Sequence, residues 1–422
     1  MTLETAANPI KVVFLTFYYE AWDSLADIHH LMSSDPRFEV TVISIPRRFT
    51  MDSPYDEEEL VSDFFTRSGI KHLSFNYEDS LQGLAEIKEL NPDYVFLNYP
   101  WQRNYQPGYR VELLSEFTKV CYVPYYSAPL VIEPGEDKVA SHWFEQRSHQ
   151  LASLIFTQDE NVRDAYFLTS RGNSHVYLTG TPKLDALTRQ VLEGEKRWPL
   201  GHSNNFRIVW APHHSYSPNW LNFGTFVEIF EDMLAFATQH RGVDFVLRPH
   251  PLMFSTLSTQ KVIKDEVLDK WLQAWDALPN TATDANGEIA QLFAAADLFV
   301  TDGISFLAEY PLATGKPALF MEKVDHWPLS PLGELAALAN MKVTTFQDFV
   351  SVYEVTVADG LPDYSEAIDN LRKVAQPYPG QAAQRILNIV YKDFEDKVPL
   401  VDKTLITEIP WESRPGTEPA WD

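Results

Sequence analysis

The stretch AAADLFVTDGISFLAEYPLATGKPALFME, residues 294–322, admits few folds. Residues 298–301 are a short apolar run ending in Asp302-Gly303, residues 304–314 carry apolar positions at helical spacing, and Gly315-Lys316-Pro317 stops them before a second apolar run at 318–321. Strand, tight turn, helix and strand in that order are the building unit of a parallel sheet. The turn places Asp302, Gly303 and Ser305 at the carboxyl end of the strand, where open α/β sheets bind their ligands. Backbone N–H groups at a helix start, with a serine hydroxyl beside them, suit a phosphate or diphosphate. The other reading is that Asp302 and Ser305 only cap the helix. Glu309 shares a helix face with Ser305 and would either accept bonds from ribose hydroxyls or pair with a lysine such as Lys316.

The same alternation runs along most of the chain. Strand patterns at 11–17, 39–45, 71–75, 93–98, 119–124, 153–157 and 175–179 are separated by helical patterns from 22 onward and at 56–66, 81–90, 110–117, 141–151 and 161–170. The turn after the first strand has no glycine, which argues against the Gly-x-Gly-x-x-Gly fingerprint of nicotinamide and flavin enzymes. A polar run at 193–205 reads as a linker. A second series follows, with strands at 207–211, 243–248, 298–301, 318–321 and 341–345 and helices near 223–239, 261–275, 289–296 and 304–314. The expected architecture is α/β, two Rossmann-like doubly wound domains at 1–190 and 205–395 facing across a cleft, with a polar tail at 397–422. The helical pattern at 380–391 is placed to cross back and brace the first domain.

A chain of 422 residues with 45% hydrophobic and 13% aromatic residues has ample material for two cores. Its formal net charge of −25 argues against nucleic acid as a partner and against broad adhesion to anionic lipid. The single cysteine, Cys121, lies in an apolar run and reads as a core residue in a reducing compartment. No apolar stretch is long enough to span a bilayer and the start lacks the pattern of a signal peptide, so a cytoplasmic location is expected, with membrane contact peripheral at most. No cofactor is expected, and no residues show metal-site spacing.

Two further strand ends carry chemistry. His213 and His214 leave the strand at 207–211 in WAPHHSY, without a carboxylate or third histidine at metal-ligand spacing. An imidazole touching phosphate or acting as a base is the functional reading, and a loop histidine bonded to backbone is the structural one. In LRPHP, Pro249 and Pro251 remove backbone donors, leaving Arg248 and His250 to meet a ligand with their side chains.

These pieces together resemble the CDP-glycerol glycerophosphotransferase family of teichoic-acid and capsule polymerases. WAPHHS, the RPHP loop and TDGISFLAEYPLATGKP are similar to its donor-side motifs, and FTQDENVRDAYF with LTGTPKLDAL resembles its junction between domains. The resemblance implies a GT-B fold, with His250, Asp302 and Ser305 at donor-phosphate and nucleotide positions. The family's His-Gly-Thr-Pro-Leu-Lys motif is replaced here by VCYVPYYSAPL at 120–130, without a histidine.

The expected function is a transferase that moves glycerol phosphate from a CDP-glycerol-like donor to a glycan or polyol-phosphate hydroxyl. The alternatives are a GT-B glycosyltransferase or epimerase acting on a nucleotide sugar, and a non-catalytic nucleotide-binding subunit. Arg248, His250, His214, Asp302, Gly303, Ser305 and Glu309 are the expected donor contacts. Glu20, Asp23, His213 and His250 are the candidates for catalysis.

Overall fold

A computed structural model describes residues 8–48, 53–194, 197–201, 204–285 and 289–406. Of the polar tail expected at 397–422, residues 407–422 fall outside these, whereas Ile406 joins the core of Val13 and Leu15 and the Lys403 ammonium donates to the Glu112 carbonyl, so this part is not a separate tail. Two compact units are present, one comprising the chain up to Ser127, Val139–Ala186 and the chain from Gln376, the other Ala128–Lys138 and Leu187–Ala375.

The first unit holds a seven-stranded sheet of β1 (Ile10–Thr16), β2 (Phe38–Ser44), β3 (His72–Ser74), β4 (Tyr94–Leu97), β5 (Lys119–Tyr122), β6 (Leu154–Thr157) and β7 (Val176–Leu178). Every pairing is parallel and the order is β3-β2-β1-β4-β5-β6-β7. All seven lie within the strand patterns read from the sequence, apart from one residue at the start of β1 and one at the start of β2. Apolar side chains on both faces explain this. Val12, Phe14, Phe96 and Phe156 pack on one side of the sheet, and Val13, Leu15, Val95 and Leu97 on the other.

The helix Ala382–Glu395 belongs to this unit, although the sequence boundary at 395 assigns it to the second domain. Its Ile386, Leu387 and Val390 join the core of Val12, Phe14 and Phe96, and Asp393 accepts hydrogen bonds from Tyr94 and Lys119. An amphipathic face and one buried carboxylate thus fix where a helix distant in sequence docks.

The second unit holds β8 (Phe206–Ala211), β9 (Val243–Leu247), β10 (Thr281–Thr283), β11 (Leu298–Thr301), β12 (Leu319–Met321) and β13 (Met341–Val343). Its order is β10-β9-β8-β11-β12-β13, again all parallel. Trp210, Phe226, Trp271 and Trp275 form the aromatic centre of its core. Segment Ala128–Lys138 counts with this unit, because it bonds to the residues entering the helix Pro331–Leu338: Ser330 N–H and Oγ–H donate to the carbonyls of Leu130 and Pro129. Gly333 permits the contact, since a Cβ there would lie 1.9 Å from the Leu130 oxygen.

Several elements depart from the sequence reading. The run at 193–205 is not all linker: it follows directly on a helix, Pro182–Glu193, and its Trp198 is buried with the indole N–H on Asp244. The helix expected at 261–275 is Asp265–Asp276, which begins only after Lys261 takes a left-handed φ of 54°, and a short helix before it, Met253–Thr259, was not anticipated. β10 and the helices Pro331–Leu338, Phe346–Asp359 and Ser365–Ala375 were not anticipated.

Candidate functional site

The winding of the second sheet reverses between β8 and β11, the position at which doubly wound sheets bind ligands beyond the carboxyl ends of their strands. His213 and His214 follow β8, Arg248 and His250 follow β9, and Asp302, Gly303 and Ser305 follow β11. The strands are parallel, so all three loops emerge at one edge.

Three imidazoles meet there. Ring centroids are 4.4 Å apart for His213 and His214, 5.2 Å for His213 and His250, and 3.8 Å for His214 and His250, which stack. The His250 N–H donates to the Pro212 carbonyl at 3.1 Å and ties the two loops together. The histidine pair therefore does have a third partner, contrary to the sequence reading. It comes from the neighbouring strand and leaves no trace in local spacing.

One nitrogen of each ring lies within 4.8 Å of the other two, a separation open to a metal ion after modest rotation. The hydrogen bonds of the rings favour a different occupant. His213 Nδ1 faces the Ser215 N–H at 3.3 Å and the Ser215 hydroxyl at 2.8 Å, and His250 Nδ1 accepts the Leu252 N–H at 3.1 Å. A backbone N–H can only donate, so both Nδ1 atoms are acceptors and each neutral ring carries its proton on Nε2. A metal bound at Nε2 would need that nitrogen bare and Nδ1 protonated against an amide, whereas an anion accepts the Nε2–H as it stands.

Burial holds all three rings neutral. It lowers His214 to about 4, and it takes His213 and His250 well below the usual imidazole value, with repulsion from their histidine neighbours adding to the shift. Among the described residues the buried Nδ1 of His214 meets no hydrogen-bond partner.

Asp302 and Ser305 do not cap the helix Phe306–Thr314. Asp302 is 1% exposed and its oxygens accept the His213 N–H at 2.6 Å, the Thr225 N–H at 2.5 Å and the Thr225 hydroxyl at 2.8 Å. It braces the histidine loop from beneath rather than reaching a ligand. Desolvation raises it to about 7 against the pull of the Thr225 and His213 bonds. Ser305 is exposed and its side chain makes no capping bond, which leaves its hydroxyl and the N–H groups of residues 304–306 open, while the N–H groups of Leu307 and Ala308 donate to the Ile304 and Ser305 carbonyls. A Cβ at Gly303 would meet the Thr301 hydroxyl oxygen at 3.3 Å and lie in ordinary contact, 3.7 Å, with His213. Gly315, with a φ of 70°, ends the helix as the sequence indicated.

Arg248 has a partner within the protein. One of its guanidinium nitrogens bonds to the carbonyl of Asp284 at 3.0 Å and to its carboxylate at 3.2 Å. The cause is β10, the strand missed in the sequence, whose end delivers Asp284 beside the end of β9. Glu309 is buried, and Lys316 turns to the Ala296 carbonyl at 3.3 Å.

Glu20 and Asp23, the other candidate bases, lie in the first unit after β1. Glu20 is exposed and pairs with Arg47 at 2.7 Å. Asp23 opens the helix Asp23–Ser33. Ser215, Thr225, Leu252 and Asp284 were missed in the sequence. Only Ser215, directly after the histidine pair, carried a signal.

Solved structures of one architecture cover most of the chain. The fold is GT-B. A UDP-N-acetylglucosamine 2-epimerase matches 94% of this chain over 99% of its own, with a TM-score of 0.61 and 14% identity. The UDP-GlcNAc 2-epimerase of Neisseria meningitidis, bound to UDP-GlcNAc, matches 91% of this chain over 100% of its own, with a TM-score of 0.57 and 15% identity. The wall teichoic acid polymerase TagF matches 93% over 91%, with a TM-score of 0.57 and 14% identity. No family model and no curated protein matches the chain. No helix among the described residues is long and apolar enough to cross a membrane.

Proposed function

We propose that the carboxyl edge of the second sheet holds the diphosphate of a nucleotide sugar, and that the protein is an epimerase or glycosyltransferase acting on that substrate in the making of a cell-surface polymer. The observation that carries this reading is the pair of imidazoles fixed as Nε2–H donors beside an open helix start. Neutral donors and helix N–H groups stabilise a diphosphate that keeps its charge, whether it remains attached or departs. Asp302 keeps the His213 loop in place while this happens.

Similarity of fold to UDP-GlcNAc 2-epimerases supports the nucleotide-sugar reading. Glycerol phosphate transfer from a CDP-glycerol-like donor is the second reading, supported by the RPHP and TDGIS motifs and by the fold of TagF. The absence of a histidine at 120–130 weighs against it.

Inversion at a sugar carbon breaks and remakes a C–H bond, so an epimerase incorporates solvent deuterium. UDP-GlcNAc incubated with the protein in D2O should lose its C2 proton signal, and CDP-glycerol should yield no CMP. CMP release without deuterium exchange would reverse the order of the two readings. A panel of nucleotides that leaves the melting temperature unchanged would defeat both.

A further inference from the structure

We infer that the carboxyl edge of the first sheet carries a binding subsite for a neutral pyranose ring, built from Tyr18, Tyr99, Trp101 and Tyr125. The winding of this sheet reverses between β1 and β4. Tyr18 follows β1, Tyr99 and Trp101 follow β4, and Tyr125 follows β5, so parallel strands bring all four to one edge at the reversal. Ring centroids lie 5.4 Å apart for Tyr18 and Tyr99, 5.5 Å for Tyr18 and Tyr125, 5.4 Å for Tyr99 and Tyr125, 5.0 Å for Tyr99 and Trp101, and 6.0 Å for Trp101 and Tyr125.

The cluster is not simply core. Phe17 and Tyr105, beneath it, are fully buried and pack on or near Tyr99, whereas the four named rings are all half-buried. A second observation concerns the hydroxyls: those of Tyr99 and Tyr125 make no hydrogen bond among the described residues and are not sealed from solvent. Half-buried aromatic rings edged by unengaged O–H groups match a ligand that alternates C–H faces with hydroxyls, which is what a pyranose presents. A purely apolar partner would bury these hydroxyls unpaired. Tyr125 lies within the stretch 120–130, where the sequence resemblance left its histidine unmatched. The subsite does not depend on what the histidine loops bind.

Saturation-transfer NMR on the full chain tests this, with methyl β-glucopyranoside and methyl N-acetyl-β-glucosaminide at about 10 mM and uridine as the rival probe. Saturation should reach the ring C–H protons of a pyranoside. Trp101→Ala and Tyr125→Ala should weaken its binding about tenfold, Tyr125→Phe should keep most of it, and His250→Ala should leave it as in wild type. If an alanine variant loses its thermal transition, Trp101→Leu, which keeps apolar bulk without the π face, should still lose the sugar. No saturation of either pyranoside, equal saturation in the Trp101 and Tyr125 variants, or saturation of uridine in their place would overturn the inference. A lost response in His250→Ala would overturn its independence from the nucleotide site.

Discussion

The two sheets share a topology and differ in what stands at their carboxyl edges. Each begins with a central strand, winds outward and reverses, at β1/β4 in one and β8/β11 in the other. The first edge is furnished with half-buried aromatic rings, the second with neutral imidazoles, a bracing carboxylate and an open helix start. Sheet architecture fixes where a ligand binds, and loop residues decide which chemistry meets it. The second edge is also the more polar and the more deeply desolvated, so its function and its stability are harder to separate.

The largest effect is expected at Asp302. Asp302→Ala leaves two backbone N–H groups and a hydroxyl without their acceptor and should lower unfolding free energy by about 3 kcal/mol, with nucleotide affinity falling as the His213 loop loosens. Urea denaturation gives the first number; a change within about 0.5 kcal/mol would show the edge is not braced as described.

Next comes His250→Ala, which removes a proposed ligand donor without exposing a core. It should weaken UDP or CMP binding about tenfold by calorimetry, close to 1.4 kcal/mol, with little change in melting temperature. Tyr125→Ala should leave the affinity for a nucleotide lacking sugar untouched. Equal effects of the two variants on that nucleotide would erase the contrast between the edges.

The third prediction concerns pH. His214 falls from 6.5 to about 4 on burial, so its folded value lies below its unfolded one. Stability linked to it is complete above 6.5 and is lost as pH falls from there toward 4. Asp302, raised from 3.8 to about 7, acts in the opposite direction, stabilising below 3.8 and losing that contribution as pH rises through 7. His214→Gln should flatten the acid limb of melting temperature against pH by a few degrees, roughly 3 °C. A limb unchanged by the substitution would place the acid sensitivity elsewhere, for instance at His149 and His175, which burial lowers to about 3 in the first unit.

Ser305→Ala should be the mildest, about 0.5 kcal/mol or a twofold loss in nucleotide affinity, because the exposed hydroxyl caps nothing and the helix N–H groups remain. A loss as large as that of His250→Ala would move the centre of the site to β11.

Much of the fold was legible because buried parallel strands are written as continuous apolar runs, as in KVVFLTF and DYVFLN. β10 was not, since Thr281–Thr283 is a short edge strand with little apolar content. The helix Pro331–Leu338 did carry a signal, Ser330 capping Gly333 N–H with Pro331 at the first position, which the apolar periodicity alone did not bring out. In the site, the residue types at 213, 250 and 305 were readable from strand ends. Their relations were not, because the bond from Asp302 to the His213 loop and that from Arg248 to Asp284 join segments whose pairing exists only once the sheet has formed.

The docking of Ala382–Glu395 on the first sheet has a consequence for biosynthesis. Val12, Phe14 and Phe96 are translated before every strand of the second unit, yet the Ile386, Leu387 and Val390 that cover part of their core are translated after all of them. A nascent chain stalled at residue 375 would therefore carry a complete second sheet and a first unit with an uncovered apolar face. Such a face is one that ribosome-associated chaperones shield, and the first unit to be made becomes the last to be finished.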